Sequence, residues 1–387
     1  MLTVRRSGKP TASPLGEGML LNKFKRYSLA DSVSLLKALL VAQDQYFEEF
    51  SVDIINIYST ASLAMKVFRQ RFFPSHISQI PILKGSVDAF VRQAYLGGAT
   101  DVYKRYAENV HYYDVNSLYP YAQCKPMPLK CTRWIKQLNS LDNFFGFVEV
   151  EVIAPSIPKP MLPARRAGRT IFPVGTWKGI YFSEELKAVA KLGYQFKLGQ
   201  AYEFSSEVLF KDYVDYFYNI KKVTTGPKRF IAKMMLNNLY GIFGRSLVGL
   251  KPLIIEQQDV APFITLMRSK ALTNINDKYA MILTDESTNT DNLLRLDSNY
   301  FLESSSSMKI PVKANVAIAA AVTAYARIHM MDLKLNYDVC YSDTDSIFTT
   351  HPLGPWQPDH LIGPGLGQLK DELAPHPYGI GERSNYW

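Results

Sequence analysis

Apolar residues recur at helical spacing early in the chain. Leu35, Leu36, Leu39, Leu40 and Tyr46 share one face of a segment that starts near Tyr27 and reaches Phe50, for which Asp31 or Ser32 supplies a cap. A second helix is expected from the Ser59-Thr60 cap, with Leu63, Val67 and Phe68 inward, Lys66, Arg69 and Arg71 outward, and Pro74 as its stop. After a turn at Tyr95-Leu96-Gly97-Gly98, residues 101–121 read as strands. The Pro- and Gly-rich stretch 126–175 holds one strand-like run, 144–153. A helix follows, with Ser183 as its cap, Glu184 and Glu185 in the first turn and Gly193 just past its end. A basic helix is expected over about residues 227–243. Residues 251–308 are mixed and end in a polar loop, 285–292, and a serine run, 304–307. An alanine-rich helix, 316–333, and a short hairpin, 337–350, come next, before a tail rich in Pro and Gly. No repeat of fixed period is present.

Composition narrows the classes. The 387 residues are 47% hydrophobic and 20% charged, a globular balance with ample material for a large core. The most apolar run, 316–331, is interrupted by Thr323, Arg327 and His329, so no membrane partner is expected. Cys124, Cys131 and Cys340 form no CxxC pair and the six histidines form no HExxH, which disfavours a structural zinc site or a disulfide framework. A net charge of +9 suits a polyanion partner without selecting one. Arg5, Arg6 and Lys9 precede the first acid, Glu17, but Gly8, Pro10 and Pro14 break any amphipathic helix, and this segment reads as an unstructured start.

Three segments carry chemistry. Tyr341-Ser342-Asp343-Thr344-Asp345-Ser346 sits between two β-prone runs, so two carboxylates one residue apart fall at a hairpin tip. Leaving both ionised is costly without a cation, and hard oxygen donors suit magnesium. Asp-Thr-Asp turns are common; the longer pattern is not. Asp114-Val115-Asn116-Ser117-Leu118-Tyr119-Pro120 puts another carboxylate at a strand end, although an ordinary strand–turn–helix junction with an Asp cap looks the same in isolation. In the basic helix, Arg229, Lys233, Asn237, Tyr240 and Gly241 share a face, with Ile231, Met235, Leu239 and Ile242 on another, and Lys221, Lys222 and Lys228 nearby. Most such faces are solvated; this one suits a triphosphate carrying a flat base. The order of the three segments is the layout of a palm-type nucleotide polymerase. That chemistry needs two metals about 3.5–4 Å apart, held by acids from separate strands, and cations on the triphosphate, which Lys233 supplies.

These residues resemble family B DNA polymerases. Asp114 to Pro120 matches DxxSLYP, Lys233-x-x-x-Asn237-Asn238-x-Tyr240-Gly241 is similar to KxxxNSxYG, and Tyr341 to Ser346 matches YxDTDS. Tyr95 to Gly98 resembles the YxGG element of the protein-primed branch, and Gly175-Thr176-Trp177-Lys178-Gly179 is similar to enzymes of organellar linear plasmids and certain bacteriophages. The resemblance implies an α+β right-hand fold, an antiparallel palm sheet with helical fingers and a remnant of an exonuclease domain. It divides the chain into that remnant (1–90), palm (91–125), palm with a terminal-protein-region-like insertion (126–214), fingers (215–250), palm with a second insertion (251–350) and an incomplete thumb (351–387).

The resemblance also implies roles. Asp114 and Asp345 would ligate two magnesium ions, manganese being the substitute, with the Val115 carbonyl; Asp343 would be a supporting carboxylate. Tyr119 would exclude a 2′-hydroxyl, and Arg229, Lys233, Asn237 and Tyr240 would bind the nucleotide. Tyr95, Gly97, Gly98, Gly241, Tyr341, Thr344 and Ser346 would meet DNA. Primer–template DNA, deoxynucleotides and a terminal priming protein would be the partners, and a mitochondrion, with a linear plasmid to replicate, the setting. Three departures qualify this. Asn238 replaces the usual serine, which is expected to alter fidelity or rate. Tyr27-x-x-x-Asp31 fits a third exonuclease motif without the first two, so no proofreading is expected. Leu366-Gly367-Gln368-Leu369-Lys370 resembles the approach to a thumb, but no KxY element follows, so the chain reads as truncated at both ends. The alternative is therefore an inactive fragment that binds only nucleotide or DNA. A reverse transcriptase or RNA polymerase lacks the SLYP and DTDS contexts, and a P-loop enzyme is excluded because no GxxxxGK[ST] exists.

Overall fold

A computed structural model describes residues 17–245, 250–261, 271–285, 315–353 and 361–373, which group into two compact units, 1–71 and 72–387. In the first, α1 (Glu17–Phe50) begins ten residues before the expected start, so Asp31 and Ser32 lie inside it rather than at a cap. The Ser32 hydroxyl instead donates to the Ser28 carbonyl at 2.9 Å. Leu35, Leu36, Leu39 and Leu40 are exposed, contrary to the inward face their spacing suggests, and the burial is concentrated at Phe50. The second helix, α2 (Thr60–Val67), matches its expected start: the Ser59 hydroxyl accepts from the Ser62 N–H. Leu63 and Val67 are buried as expected, and the helix widens into a π-turn, Phe68–Phe72.

The two larger of the four antiparallel sheets described in the second unit form its framework. Helix α3 (Gly85–Gln93), unforeseen in the sequence pattern, leads into β1 (Thr100–Val102) and β2 (His111–Val115). Residues 118–121 are not strand. Ser117 adopts a left-handed conformation (φ 55°), turns the chain, and starts α4 (Leu118–Gln123) with Pro120 in its first turn, where the missing N–H costs nothing.

The next 80 residues form a second sheet where only one strand was expected. It comprises β3 (Met127–Ile135), β4 (Gly146–Ala154), β7 (Gly175–Phe182) and β8 (Gln195–Glu207), in the order β3-β8-β4-β7. A small hairpin, β5 (Ala164–Arg166) and β6 (Arg169–Ile171), turns at Ala167 and Gly168, both at positive φ as a tight hairpin requires. Between β7 and β8, α5 (Ser183–Ala190) is capped by Phe182; Ser183 is its first helical residue, and its hydroxyl accepts from the Gly146 N–H at 3.2 Å. Val148, Val150, Val152, Leu162, Leu186 and Val189 form the core beneath this sheet.

Helices α6 (Lys211–Val223) and α7 (Gly226–Asn238) pack together. The basic helix does not run unbroken to Phe243: it gives way to a 3₁₀ turn, Tyr240–Gly244. Its buried stripe is Ala232, Met235, Leu236, Leu239 and Phe243, so Met235 and Leu239 face inward as read, while Ile231 and Ile242 are only half-buried. A separate sheet of β9 (Leu250–Glu256), β10 (Ala271–Asn274) and β11 (Tyr279–Asp285) follows. Of the expected loop at 285–292, Asp285 is instead the last residue of β11, and the remainder, the serine run and residues 1–16 lie outside the described residues.

Helix α8 (Val316–Asn336) is the central core helix. Asn315 caps it by accepting from the Ala317 N–H and ties it to β3 by donating to the Leu129 carbonyl at 3.0 Å. At 21 residues it is longer than the apolar run read from the sequence and long and apolar enough to cross a membrane, but 78% of its apolar window is covered by the chain itself. Hairpin strands β12 (Val339–Asp343) and β13 (Ser346–Thr349), with β14 (Leu369–Asp371), complete the first sheet in the order β1-β12-β13-β2-β14.

Candidate active site

The first sheet brings the two acidic motifs together. Asp114, next to last in β2, lies opposite Ser346 of β13 on one side and Lys370 of β14 on the other. Beyond it, the Val115 N–H donates to the Asp345 carbonyl oxygen at 2.7 Å. The turn between β12 and β13 is sharp. Thr344 sits at φ 52°, unusual for a β-branched residue, and its N–H donates to the Ala99 carbonyl at 3.0 Å. Burial, the neighbouring Asp345 and then Glu372 push the Asp114 carboxyl up to about 6, against the pull of Lys370 and Lys221. Asp345 is raised too, by burial and by Asp343, with its own backbone N–H and Lys233 acting against the shift. Asp343 is exposed at the end of β12, accepting from the Thr100 hydroxyl at 2.7 Å and the Thr344 hydroxyl at 3.1 Å.

This donor set fits magnesium better than a protein-caged ion. Among the described residues no group of three or more His, Cys, Asp or Glu side chains converges on one point. Two half-buried carboxylates that destabilise one another's charge suit an ion that keeps several waters and takes its remaining ligands from substrate phosphates.

A cationic face stands beside the acids. The Lys221 ammonium donates to the Ser117 hydroxyl at 2.7 Å, and Arg229 donates to the Lys221 carbonyl at 2.6 Å. Burial, Arg229 and Lys233 hold the Lys221 ammonium below its ordinary value. Lys233 and Asn237 are exposed on α7. Tyr240, on the 3₁₀ turn, stacks on Tyr119 of α4 with ring centroids 4.6 Å apart, and burial raises both phenols. Gly241 is exposed, with open space where a side chain would stand. A cavity of ≈ 440 Å³ opens here, lined by Asn116, Lys221, Lys222, Arg229 and Lys370 among others. Lys370 and its partner Glu372, 2.6 Å away, are site residues that the sequence reading missed. Gly367 makes their approach feasible: at φ 80° it passes over the Tyr121 ring and donates to the Asn116 carbonyl at 3.0 Å.

The Tyr95–Gly98 turn is held against this sheet by a buried ion pair. Arg327 of α8 donates to both Glu185 carboxylate oxygens, at 2.6 and 2.8 Å, and to the carbonyls of Leu96 and Gly97, each at 2.7 Å. The two residues are 5% and 1% exposed. In the sequence Glu185 reads as a helix-dipole acid and Arg327 as an interruption. A lone arginine in an alanine-rich helix was the available signal, because burying it requires an acid partner. Tyr95 lies against Gly244, where a Cβ would come within 2.7 Å of its ring. Gly98 abuts Thr344: a Cβ there would stand 2.6 Å from the threonine hydroxyl, whereas at Gly97 nothing lies within 4 Å. Tyr341 packs on Phe348, and the buried Ser346 donates its hydroxyl to the Asp343 carbonyl at 3.1 Å. The structure thus gathers Asp114, Val115, Tyr119, Lys233, Tyr240 and Asp345 around one face and uses Ser346, Thr344 and Gly98 to shape the hairpin.

Comparison with known proteins agrees. The family described as DNA polymerase type B, organellar and viral, matches residues 19–338. Proteins named "Probable DNA polymerase" from Podospora anserina and Ascobolus immersus are 33% and 34% identical over 365 and 377 residues, covering 90% and 92% of this chain and 30% of each relative. The chain thus spans about a third of their length. Among solved structures, "Phi29 DNA polymerase complexed with primer-template DNA (post-translocation binary complex)" has a TM-score of 0.64 at 19% identity, over 96% of this chain and 60% of that one, a likeness of fold. The match takes in Asp114 and the cationic helices α6 and α7 and stops just short of the Asp343–Asp345 hairpin, which the sheet register carries into the same site; this chain belongs to the organellar and viral type B DNA polymerases.

Proposed function

We propose that this chain carries the palm and fingers of a template-directed DNA polymerase that adds deoxynucleotides to a 3′-hydroxyl, that of a primer or of a terminal priming protein. One observation carries the reading: carboxylates from two distant motifs, Asp114 on β2 and Asp345 in the turn between β12 and β13, come together where those strands pair and face the cations of α6 and α7. Asp114 and Asp345, with the Val115 carbonyl, would hold two magnesium ions, or manganese in their place. When bound, such ions supply Lewis-acid charge to the attacking hydroxyl and the triphosphate.

The chain's own residues do the rest. Lys233, Lys221 and Arg229 bind and orient the triphosphate, so that charge on the departing pyrophosphate meets fixed cations. Asn237 lies beside the nascent base pair, while Tyr240 braces Tyr119, whose ring closes the space a 2′-hydroxyl would need. Asp343 supports the primer end from the tip of β12. Tyr95, Gly97, Gly98, Gly241, Tyr341, Thr344 and Ser346 form or shape the surface under the DNA. Replication of a linear plasmid in a mitochondrion is the setting we infer, supported by the organellar and viral character of the family.

The test is primer extension on a short primed template with magnesium, comparing the chain with Asp345→Ala. Extension by the parent and none by the variant is expected. No extension by a folded parent at any enzyme concentration overturns the proposal in favour of a fragment that only binds.

A further inference from the structure

We propose that the groove between the β5–β6 hairpin and β7 takes an unstacked base of single-stranded template, a reading that rests on the polymerase assignment above. The cavity there measures ≈ 490 Å³ and is separate from the acidic site. Arg165 and Arg166 line it and no carboxylate does; Lys178 also borders it but alternates with Trp177 along β7 and lies opposite Glu151 of β4, and neither arginine makes an ion pair among the described residues. Trp177 forms a half-buried aromatic wall, fixed in place because its indole N–H donates to the Tyr181 hydroxyl at 2.8 Å. That contact needs Gly179: a Cβ there would stand 2.6 Å from the Tyr181 ring, which folds back over the strand toward Trp177. Tyr181 is anchored in turn by donating to the Pro163 carbonyl at 2.8 Å.

The groove is continuous with the Tyr95–Gly98 turn. Leu96 lines it, and Arg165 donates to the Tyr95 carbonyl at 2.7 Å. A rigid indole beside two arginines is how sequence-tolerant single-strand sites are made: phosphates meet the cations and one base stacks on the ring. A duplex would reach the cations but has no free base face to offer the recessed tryptophan, so the occupant is single-stranded.

The test compares two labelled probes by fluorescence anisotropy with the full chain: a primer–template with a ten-nucleotide 5′ template extension, and the same duplex blunt-ended. The double variant Arg165→Gln/Arg166→Gln changes two exposed side chains. It is expected to bind the extended probe at least about tenfold more weakly, leave the blunt probe unchanged, and reduce the slope of log affinity against log salt by about 1.4 for the extended probe. Trp177→Leu, which keeps an apolar wall, is expected to weaken the extended probe by about tenfold. Equal loss on both probes would assign the cations to duplex backbone, and no loss on either would leave a solvated patch; each overturns the proposal. Binding needs no turnover, so a parent that binds selectively but does not extend primers defeats the polymerase reading and leaves this one standing.

Discussion

The Val115 N–H donates to the Asp345 carbonyl at 2.7 Å, joining residues 230 positions apart through one backbone hydrogen bond. That bond sets the separation of the two acidic motifs. Neither carboxylate can be moved without disturbing the sheet, and this rigidity is what a metal-dependent site requires.

The acidic pair makes stability depend on pH. Asp114 has its carboxyl raised to about 6, chiefly by burial and by Asp345. Between the ordinary carboxylate value near 4 and that raised value, the folded chain binds more protons than the unfolded one, so stability falls as pH climbs through this window. Urea midpoints at pH 4 and pH 7 should therefore show Asp114→Asn gaining on the parent as pH rises. Magnesium should restore the parent at pH 7 and leave the variant little changed. A parent–variant difference that stays constant over the window would refute the raised Asp114 carboxyl.

Breaking the buried Arg327–Glu185 pair from either side leaves an uncompensated charge, and removing Arg327 also strips donors from the Leu96 and Gly97 carbonyls. Arg327→Met is expected to cost about 3–5 kcal/mol in chemical unfolding. Arg327→Met combined with Glu185→Leu should recover much of that loss. Equal destabilisation by the double and single variants would show that the carbonyl contacts, rather than the ion pair, dominate.

Gly98 and Gly97 should respond in opposite ways. Alanine at 98 must displace the Thr344 side chain and is expected to cost about 1–3 kcal/mol. Adding Thr344→Gly removes the clash and suits the left-handed backbone at 344, so the double variant should regain stability. Gly97→Ala meets open space and should leave thermal unfolding nearly unchanged. Any fall in DNA affinity for that variant then reports on contact with the strand.

Tyr119 stacks on Tyr240 at 4.6 Å, so its ring position is fixed from behind. Tyr119→Val should lower the ratio of kcat/KM for deoxynucleotides over ribonucleotides by at least about tenfold. Tyr119→Phe keeps the ring and should retain the ratio. Loss of discrimination in both would assign the selection to the hydroxyl instead.

Much of the local structure was legible because short-range rules governed it. The Ser59 cap, the alanine-rich helix and the 339–349 hairpin follow from capping, small side chains and β-prone runs flanking a turn. The candidate residues Asp114, Lys233, Tyr240 and Asp345 were readable as motifs for the same reason: each motif is contiguous. Where the reading failed, a distant partner had decided the outcome. Strand β3 looked like loop because its mixed sequence pairs with β8 some 70 residues later, and α1 carries an apolar face that its spacing alone would bury.

The chain's order of residues thus settles which chemical groups are available and the local turns that present them. Folding settles which groups meet. Glu185, Arg327 and Glu372 carry no motif, and Lys370 was read only as part of a thumb approach; their importance arises from burial and from strand register across more than a hundred residues. The reason is physical: a charge's cost and a carboxylate's affinity for protons depend on what surrounds it in space. Sequence neighbours supply only part of those surroundings.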